Sequence, residues 1–195
     1  RPASLNEPTA EGVYGARQIL QKMSNLQPDD ICIVLISGGG SALLPAPLPP
    51  VTLEDKQLVT RLLMSSGATI QELNCVRKQI SAVKGGRLAQ AAGCRLLFAL
   101  IISDIVGDPL DLIASGPTVA DQSTTQDAMQ VLQKFVSDPA QIPASVWSIL
   151  KSESTPAQSP QPDRQATVFN QIIGSNATAL EAASQQARAL GDEVY

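Results

Sequence analysis

Near its start the chain carries a continuous apolar run that ends at three consecutive glycines. Residues 31–41 read Ile-Cys-Ile-Val-Leu-Ile-Ser-Gly-Gly-Gly-Ser. Such a run predicts a strand buried on both faces, as in a parallel sheet covered by helices. Because glycine has no Cβ, the glycines can adopt positive φ and direct several N–H groups toward one anion, and the flanking serines add hydroxyl donors. We interpret the segment as a phosphate- or carboxylate-binding loop, with a tight turn that binds nothing as the alternative. The predicted binding residues are Ser37, Gly38, Gly39, Gly40 and Ser41.

Better-known glycine loops do not fit this pattern. A nucleotide P-loop has Lys and then Ser or Thr after its second glycine, and a dinucleotide-binding loop has Gly-x-Gly-x-x-Gly. Here Ser41-Ala42-Leu43-Leu44 follows instead, and Leu43 also excludes the nucleophile elbow Gly-x-Ser-x-Gly. The chain has no histidine, which excludes a Ser-His-Asp triad within it.

Composition favours an α/β domain that acts on a small molecule. Of the 195 residues 44% are hydrophobic but only 3% aromatic, so aliphatic side chains fill the core, as in one domain of packed helices and sheet. A net charge of −4 argues against a nucleic-acid surface. No apolar stretch approaches the roughly 18 residues of a membrane span. We therefore expect a small-molecule partner, no nucleic acid and no membrane, and we leave self-association open.

Helical and strand patterns alternate along the chain. Apolar runs predict strands at 31–37, 96–102 and 168–173. Helical spacing predicts helices at 9–26, 52–67, 69–81, 125–135, 144–150 and 177–190, with a short one after Gly86. This order predicts a three-layer α/β/α fold with a mainly parallel, Rossmann-like sheet. We treat 1–195 as one α/β domain, with a flexible surface loop at 152–165 and the start of another strand at 192–195.

Small and polar residues follow each predicted strand. The first strand ends in the glycine loop, the second in Ser103-Asp104 and the third in Gly174-Ser175-Asn176. The carboxyl ends of parallel strands line the ligand crevice of such sheets, so we expect the three endings to form one site. Asp104 and Asp108 are predicted Mg²⁺ ligands, and Asp104 is also a candidate to orient a hydroxyl for attack. The alternative is that either aspartate only caps a turn.

A basic segment lies between Glu72 and Asp104. It contains no acidic residue but carries Arg77, Lys78, Lys84, Arg87 and Arg95. Lys84 precedes Gly85-Gly86 at a predicted helix start, where an ammonium and free N–H groups could together hold a phosphate or carboxylate. For each single residue a solvated helix face is the alternative. Ser115-Gly116 is a further predicted turn that closes the crevice.

In the order and spacing of these motifs the chain resembles the class II glycerate kinases, whose full-length members carry a C-terminal MOFRL domain. The matching stretches are 35–44, 67–74, 76–78, 84–89, 103–109 and 114–118, extended by 174–176. The resemblance implies ATP-dependent phosphorylation of D-glycerate with Mg²⁺, within serine and fructose metabolism. It agrees with catalytic roles for Asp104 and Lys84. The substrate- or phosphate-binding residues that we predict beyond the glycine loop are Asn74, Arg77, Lys78, Gly85, Gly86, Ser115, Gly116 and Asn176.

The resemblance covers the central part of such kinases, so we expect a domain that is incomplete at both ends. Family members begin with a further segment that contains Gly-Lys-Ala-Ala, and they continue into the MOFRL domain. Two other functions therefore stay open. One is a catalytically inactive fragment or isoform that binds a ligand or partner, and the other is a sugar-phosphate-binding regulatory module. We expect a cytoplasmic location, with the mitochondrion as the alternative.

Overall fold

A parallel sheet of three strands forms the centre of the fold. The computed structural model describes residues 7–152 and 166–194. Strands β1 (Ile31–Ile36), β2 (Leu96–Ile102) and β3 (Thr167–Gly174) lie in the order β1-β2-β3, and both neighbouring pairs are parallel. The predicted α/β class with a parallel sheet is confirmed, and each predicted strand agrees with an observed one to within about one residue.

Helices occupy most of the rest of the described chain. Their bounds are α1 (Ala10–Ser24), α2 (Gly40–Leu43), α3 (Leu53–Ser65), α4 (Ile70–Gln79), α5 (Arg87–Gln90), α6 (Thr125–Phe135), α7 (Ala144–Lys151) and α8 (Asn176–Leu190). Thr52, Thr69 and Thr124 begin α3, α4 and α6 with capping boxes, in which the threonine side chain and an acidic side chain three residues later satisfy each other's backbone N–H groups. Local sequence therefore fixes where these helices start.

The core is divided into two clusters. One packs α1 and α5 against a single face of the sheet through residues such as Ala16, Leu88 and Leu97. The other lies among α3, α4, α6 and α7, and residues such as Leu63 and Leu132 build it without any strand. The glycine loop and α2 follow β1 directly, which places them where the sheet meets the helical cluster.

The second face of the sheet is exposed in the described part of the chain. Ile33 and Leu35 of β1 are 64% and 76% exposed, and Phe98 stacks on Phe169 with ring centroids 5.1 Å apart. None of the described residues of α8 is buried. The prediction that β1 is buried on both faces is therefore wrong for residues 7–152 and 166–194. Apolar side chains alternate between the two faces of a strand, and the helices that bury them lie on one face only.

We expect this exposed face to bind a neutral hydrophobic dye such as Nile red in the native state. The variant Ile33→Thr/Leu35→Thr should lower the dye fluorescence severalfold, because it removes two exposed apolar side chains from one continuous patch. Tyr14→Thr is the matched control, since Tyr14 is 67% exposed outside the sheet. Equal fluorescence from the double variant and the wild type would show that the face is covered in solution.

Two further predictions concern residues 152–165 and 192–195. The predicted surface loop at 152–165 falls outside the described residues except for Ser152, and the predicted strand at 192–195 is not formed by residues 192–194. In the part of the chain that is described, no helix combines the length and the apolar character that crossing a membrane requires.

Candidate active site

The ends of β2 and β3 meet in a cavity at one edge of the sheet. The backbone N–H of Ser103 donates to the carbonyl oxygen of Gly174 at 2.9 Å, which joins the two endings. The cavity has a volume of about 500 Å³, and its lining residues are Ile102, Ser103, Asp104, Ile173, Gly174, Ser175 and Asn176. Asp104 and Asn176, both predicted site residues, therefore face the same space.

The glycine loop connects this cavity to the rest of the site. A Cβ on Gly38 would collide with Oδ2 of Asp104, so the loop approaches the Asp104 carboxylate closely, and a larger residue at this position would displace that side chain. Gly39 has φ +77°, which turns the chain into α2. No described residue accepts a hydrogen bond from the N–H groups of Gly39, Gly40 or Ser41. These donors are free in the described part of the chain, so the loop keeps the groups that the predicted anion site needs.

Five predicted site residues form one hydrogen-bonded network beside the loop. Lys84 Nζ donates to the carbonyl oxygen and to Oγ of Ser41, both at 2.9 Å. Ser41 Oγ lies 2.8 Å from Ser115 Oγ, which donates to Asn74 Oδ1 at 3.1 Å. Arg77 Nη2 also donates to the Ser41 carbonyl oxygen, at 3.1 Å. The sequence places these residues in four separate segments, and the fold brings them together at Ser41.

A strained turn supplies Ser115 to the network. Ala114, Ser115 and Gly116 all have positive φ, at 51°, 63° and 60°. Such backbone is costly for residues that carry a Cβ and persists where the surroundings hold it in place. Here Gly85 N–H donates to the Ser115 carbonyl oxygen at 3.1 Å, and Gly86 N–H donates to that of Gly116 at 2.7 Å.

This anchoring changes the roles of three predicted binding residues. Because the N–H groups of Gly85 and Gly86 are donated to the turn, they are not available to a phosphate, and the prediction that they bind one does not fit the geometry. Gly116 likewise accepts the Gly86 N–H and shapes the turn. These glycines position Ser115 and leave the direct contacts to side chains and to the glycine loop.

Lys78 also departs from its predicted role. It is buried, and its ammonium pairs with Asp121 at 3.4 Å and with Asp111 at 3.7 Å. Asp121 in turn accepts from Gln79 at 3.0 Å. The charge of Lys78 is already compensated within the protein, so this residue braces α4 against the segment that precedes α6.

The remaining buried cations lack such compensation. Burial, together with the charges of Arg77, Lys56 and Lys78, holds the pKa of Lys84 well below its usual range. Burial and the charge of Arg77 lower the pKa of Lys56 to about 8. No described carboxylate forms an ion pair with Lys56, Arg77 or Lys84. The site is therefore electropositive although the chain as a whole is acidic.

A second cavity, of about 480 Å³, opens beside this basic cluster. It lies between the glycine loop, α3 and α4, and its lining includes Gly39, Ser41, Thr60, Arg61 and Arg77. The two cavities share the glycine loop: Gly38 contacts Asp104 of the first, and Gly39 with Ser41 lines the second. The arrangement can hold two ligands on either side of one anion-binding loop.

Comparison with known proteins identifies the family of this chain. Residues 1–151 match a family model described as "Domain of unknown function (DUF4147)". The chain belongs to the DUF4147 family. It is 50% identical to a glycerate kinase of Macaca fascicularis over 189 residues, which are 97% of this chain and 47% of the relative. It is 41% identical over 187 residues to an Agrobacterium vitis protein named as a hydroxypyruvate reductase, covering 95% of this chain and 41% of that one.

A solved structure extends the likeness of this DUF4147 chain to the fold. The crystal structure of a glycerate kinase from Thermotoga maritima has a TM-score of 0.79 and 35% identity, and the match covers 95% of this chain and 42% of that one. The resemblance to glycerate kinases is thereby confirmed. The chain spans less than half the length of these relatives.

The DUF4147 chain has room for a metal at Asp104. No group of three or more His, Cys, Asp or Glu side chains capable of holding a metal occurs within residues 7–152 and 166–194. Mg²⁺ needs only one or two carboxylates when phosphate oxygens and water complete its shell. No described residue bonds to the exposed Asp104 carboxylate, so its oxygens fit that role. Asp108 has φ 54°, and its N–H donates to the carbonyl oxygen of Ile105. This geometry fits the alternative that Asp108 forms a turn.

Lys56 is a buried lysine with an unpaired ammonium that the sequence reasoning did not single out. It stands among charged and polar residues at the start of α3, where a lysine is ordinarily solvated. Yet Lys56, Val59 and Leu63 recur at i, i+3 and i+7, so Lys56 shares the buried face of that helix. That spacing is the signal that could have identified it.

Proposed function

We propose that this chain carries the substrate- and phosphate-binding part of a D-glycerate kinase, which transfers the terminal phosphoryl group of ATP to D-glycerate with Mg²⁺. The observation that carries the proposal is the convergence of Arg77, Lys84 and Ser115 on Ser41, beside the free N–H groups of the glycine loop. Asn74 joins this network through Ser115. Phosphoryl transfer is mainly positioning and charge stabilisation, and these residues supply both. The names of the related glycerate kinases support the same reaction.

Each part of the site has a role in this reaction. Arg77 binds the carboxylate of the acid, and the loop N–H groups bind phosphoryl oxygens. Lys84 is a positioning residue, because its ammonium is engaged by Ser41 and Ser115 and fixes the loop against the strained turn. Asp104, with phosphate oxygens, would hold Mg²⁺, which neutralises charge on the transferred group when it is bound. The 500 Å³ cavity beside Asp104 and Asn176 is the side on which we place the nucleotide.

The name of the Agrobacterium vitis relative raises hydroxypyruvate reduction as a different reaction. A reductase of that kind binds a nicotinamide dinucleotide, commonly through Gly-x-Gly-x-x-Gly after a strand. The loop after β1 lacks that spacing, so this structure favours the kinase. By the resemblance to glycerate kinases we also infer a place in serine and fructose metabolism and a cytoplasmic location.

The experiment that tests the function is D-glycerate-dependent ADP formation from ATP and Mg²⁺ by this chain. L-glycerate is the stereochemical control, and hydroxypyruvate with NADH tests the reductase. We expect ADP formation with the D isomer and no oxidation of NADH. A folded chain that neither forms ADP nor binds D-glycerate in a calorimetric titration would contradict the proposal. A chain that binds without turnover would identify the non-catalytic alternative.

Asp104→Asn is expected to lower turnover by about tenfold or more and to weaken Mg²⁺-dependent ATP binding, because it removes the anionic charge beside Gly38. Lys84→Ala should lower turnover by a similar factor by freeing Ser41 and Ser115. Circular dichroism checks that both variants are folded, and Asp29→Asn, at an exposed position, is the control. Wild-type turnover in either variant would remove that residue from the proposed site.

A further inference from the structure

The ammonium group of Lys56 is buried without a partner in the described part of the chain. Lys56 is 1% exposed, and its Nζ makes no hydrogen bond to any described residue. An unpaired charge in the protein interior is strongly unfavourable. We therefore expect a negatively charged group to contact Lys56 when the protein binds its ligand.

A second unused donor belongs to Arg77. Its Nη1 and Nη2 atoms bind Asn74 Oδ1 and the Ser41 carbonyl oxygen, but its buried Nε has no partner among the described residues. Lys56 lies on the buried face of α3, which packs against α4, the helix that carries Arg77. The positive charge of Arg77 contributes to lowering the pKa of Lys56. One pair of buried, unused donors is thus present where α3 faces α4.

Lys78, a buried lysine on α4, has the acidic partners that Lys56 lacks. It pairs with Asp111 and Asp121. No described carboxylate pairs with Lys56, Arg77 or Lys84, and these three cations lie close enough for Arg77 and Lys56 to lower the pKa of Lys84. Such an arrangement is typical of a site that is completed by an anionic ligand.

The 480 Å³ cavity opens beside this pair, and Arg77 is part of its lining, whereas Lys56 is not. A ligand in the cavity therefore reaches Lys56 only when the Lys56 side chain turns toward the cavity. Ser41 also lines the cavity, and so does Thr60, which follows Lys56 by one turn and lies on the same side of α3. Glu7 is the acidic residue in the lining and is exposed to solvent, while Arg61 adds another positive charge. A small hydroxy acid fits in this volume.

We propose that Lys56, together with Arg77, binds the carboxylate of the hydroxy-acid substrate on the α3 side of this cavity. The proposal rests on the kinase function proposed above and adds a binding residue to it. The unused donors match a carboxylate, because Arg77 Nε–H and the Lys56 ammonium can each donate to one of its two oxygens. The loop N–H groups on the Ser41 side are left for the phosphoryl group, so the substrate hydroxyl points toward the loop.

The test is a calorimetric titration of this chain and of Lys56→Met with D-glycerate, glycerol and inorganic phosphate as separate probes. Glycerol has the carbon chain without the carboxylate, and Lys22→Met, at an exposed position of α1, is the matched control. We expect the wild type and Lys22→Met to bind D-glycerate and Lys56→Met to bind it at least tenfold more weakly. None of the three proteins should bind glycerol. Without ligand, Lys56→Met should melt at a higher temperature than the wild type, because it removes an unpaired buried charge.

The outcomes separate this proposal from the kinase function. Equal D-glycerate affinity in Lys56→Met and the wild type would overturn the role of Lys56 and leave the kinase function standing. A lower melting temperature of ligand-free Lys56→Met would indicate a structural role and would also overturn it. Lys56-dependent binding of phosphate in place of D-glycerate would overturn the carboxylate assignment. Absence of D-glycerate binding by the wild type would overturn both the assignment and the proposed substrate.

Discussion

Replacing Gly86 with alanine is expected to lower the free energy of unfolding by about 3 kcal/mol. Gly86 has φ +81°, and a Cβ at this position would lie 3.1 Å from the Val119 carbonyl oxygen and 3.2 Å from N and Cα of Ala120. These are backbone atoms, so no side-chain rotation relieves the contact. The variant should also loosen the turn at Gly116, because Gly86 N–H holds its carbonyl oxygen at 2.7 Å.

Gly67→Ala is the matched control for this prediction. Gly67 has the same φ of +81°, but nothing lies within 4 Å of the Cβ that alanine would add. It should therefore show only the backbone strain, about 1 kcal/mol. Urea unfolding followed by circular dichroism measures both variants. Equal losses at the two positions would show that the chain near Val119 and Ala120 moves away freely.

The stability of the chain is expected to rise between about pH 8 and pH 10 through Lys56. The pKa of Lys56 is lowered from 10.5 to about 8 in the folded protein, by burial and by Arg77. In this window the folded state has lost a proton that the unfolded state still binds, so the free energy of unfolding increases with pH. The full difference corresponds to about 3 kcal/mol, and the lowered pKa of Lys84 acts in the same direction.

Comparison with Lys56→Met isolates this contribution. Burial raises the pKa values of the Cys32 and Cys75 thiols, which opposes the trend because the folded state then keeps protons that the unfolded state loses above about pH 9. Both proteins share that opposing part, so the difference between their unfolding profiles reports Lys56 together with its effect on the pKa of Lys84. The measurement is urea unfolding from pH 7 to pH 10 at constant ionic strength in a zwitterionic buffer. Parallel profiles would show that Lys56 is not the titrating group.

Much of the fold could be predicted from local sequence. Apolar runs identified β1 and β2, and the capping threonine and acidic residue at Thr52 and Asp55 located the start of α3. These signals depend on residues a few positions apart. The division of the core was not predictable in this way, because helical spacing shows that α3 and α4 have an apolar face but not that they pack on each other and on α6 instead of on the sheet.

The candidate site was likewise predictable only in part. Its residue types and the loops that carry them were evident from the sequence: a glycine loop after a strand, a basic segment, and Asp104 after the next strand. The sequence did not show whether each hydrogen-bond donor is free or already bonded within the protein. Gly85 and Lys78 had the chemistry of anion ligands, but their hydrogens are used by Ser115, Asp111 and Asp121, all distant in the sequence.

The sequence by itself determined the strands, most helix limits and the glycine loop that follows β1, because periodicity, capping and glycine geometry act over a few residues. The tertiary structure alone decided which polar groups remain unpaired. Lys56 became a candidate for the site only because α3 packs beside α4 and leaves the Lys56 ammonium buried and unpaired, with its pKa lowered in part by Arg77. The physical reason is that burial, hydrogen-bond partners and counter-charges depend on contacts between segments that the order of residues does not reveal.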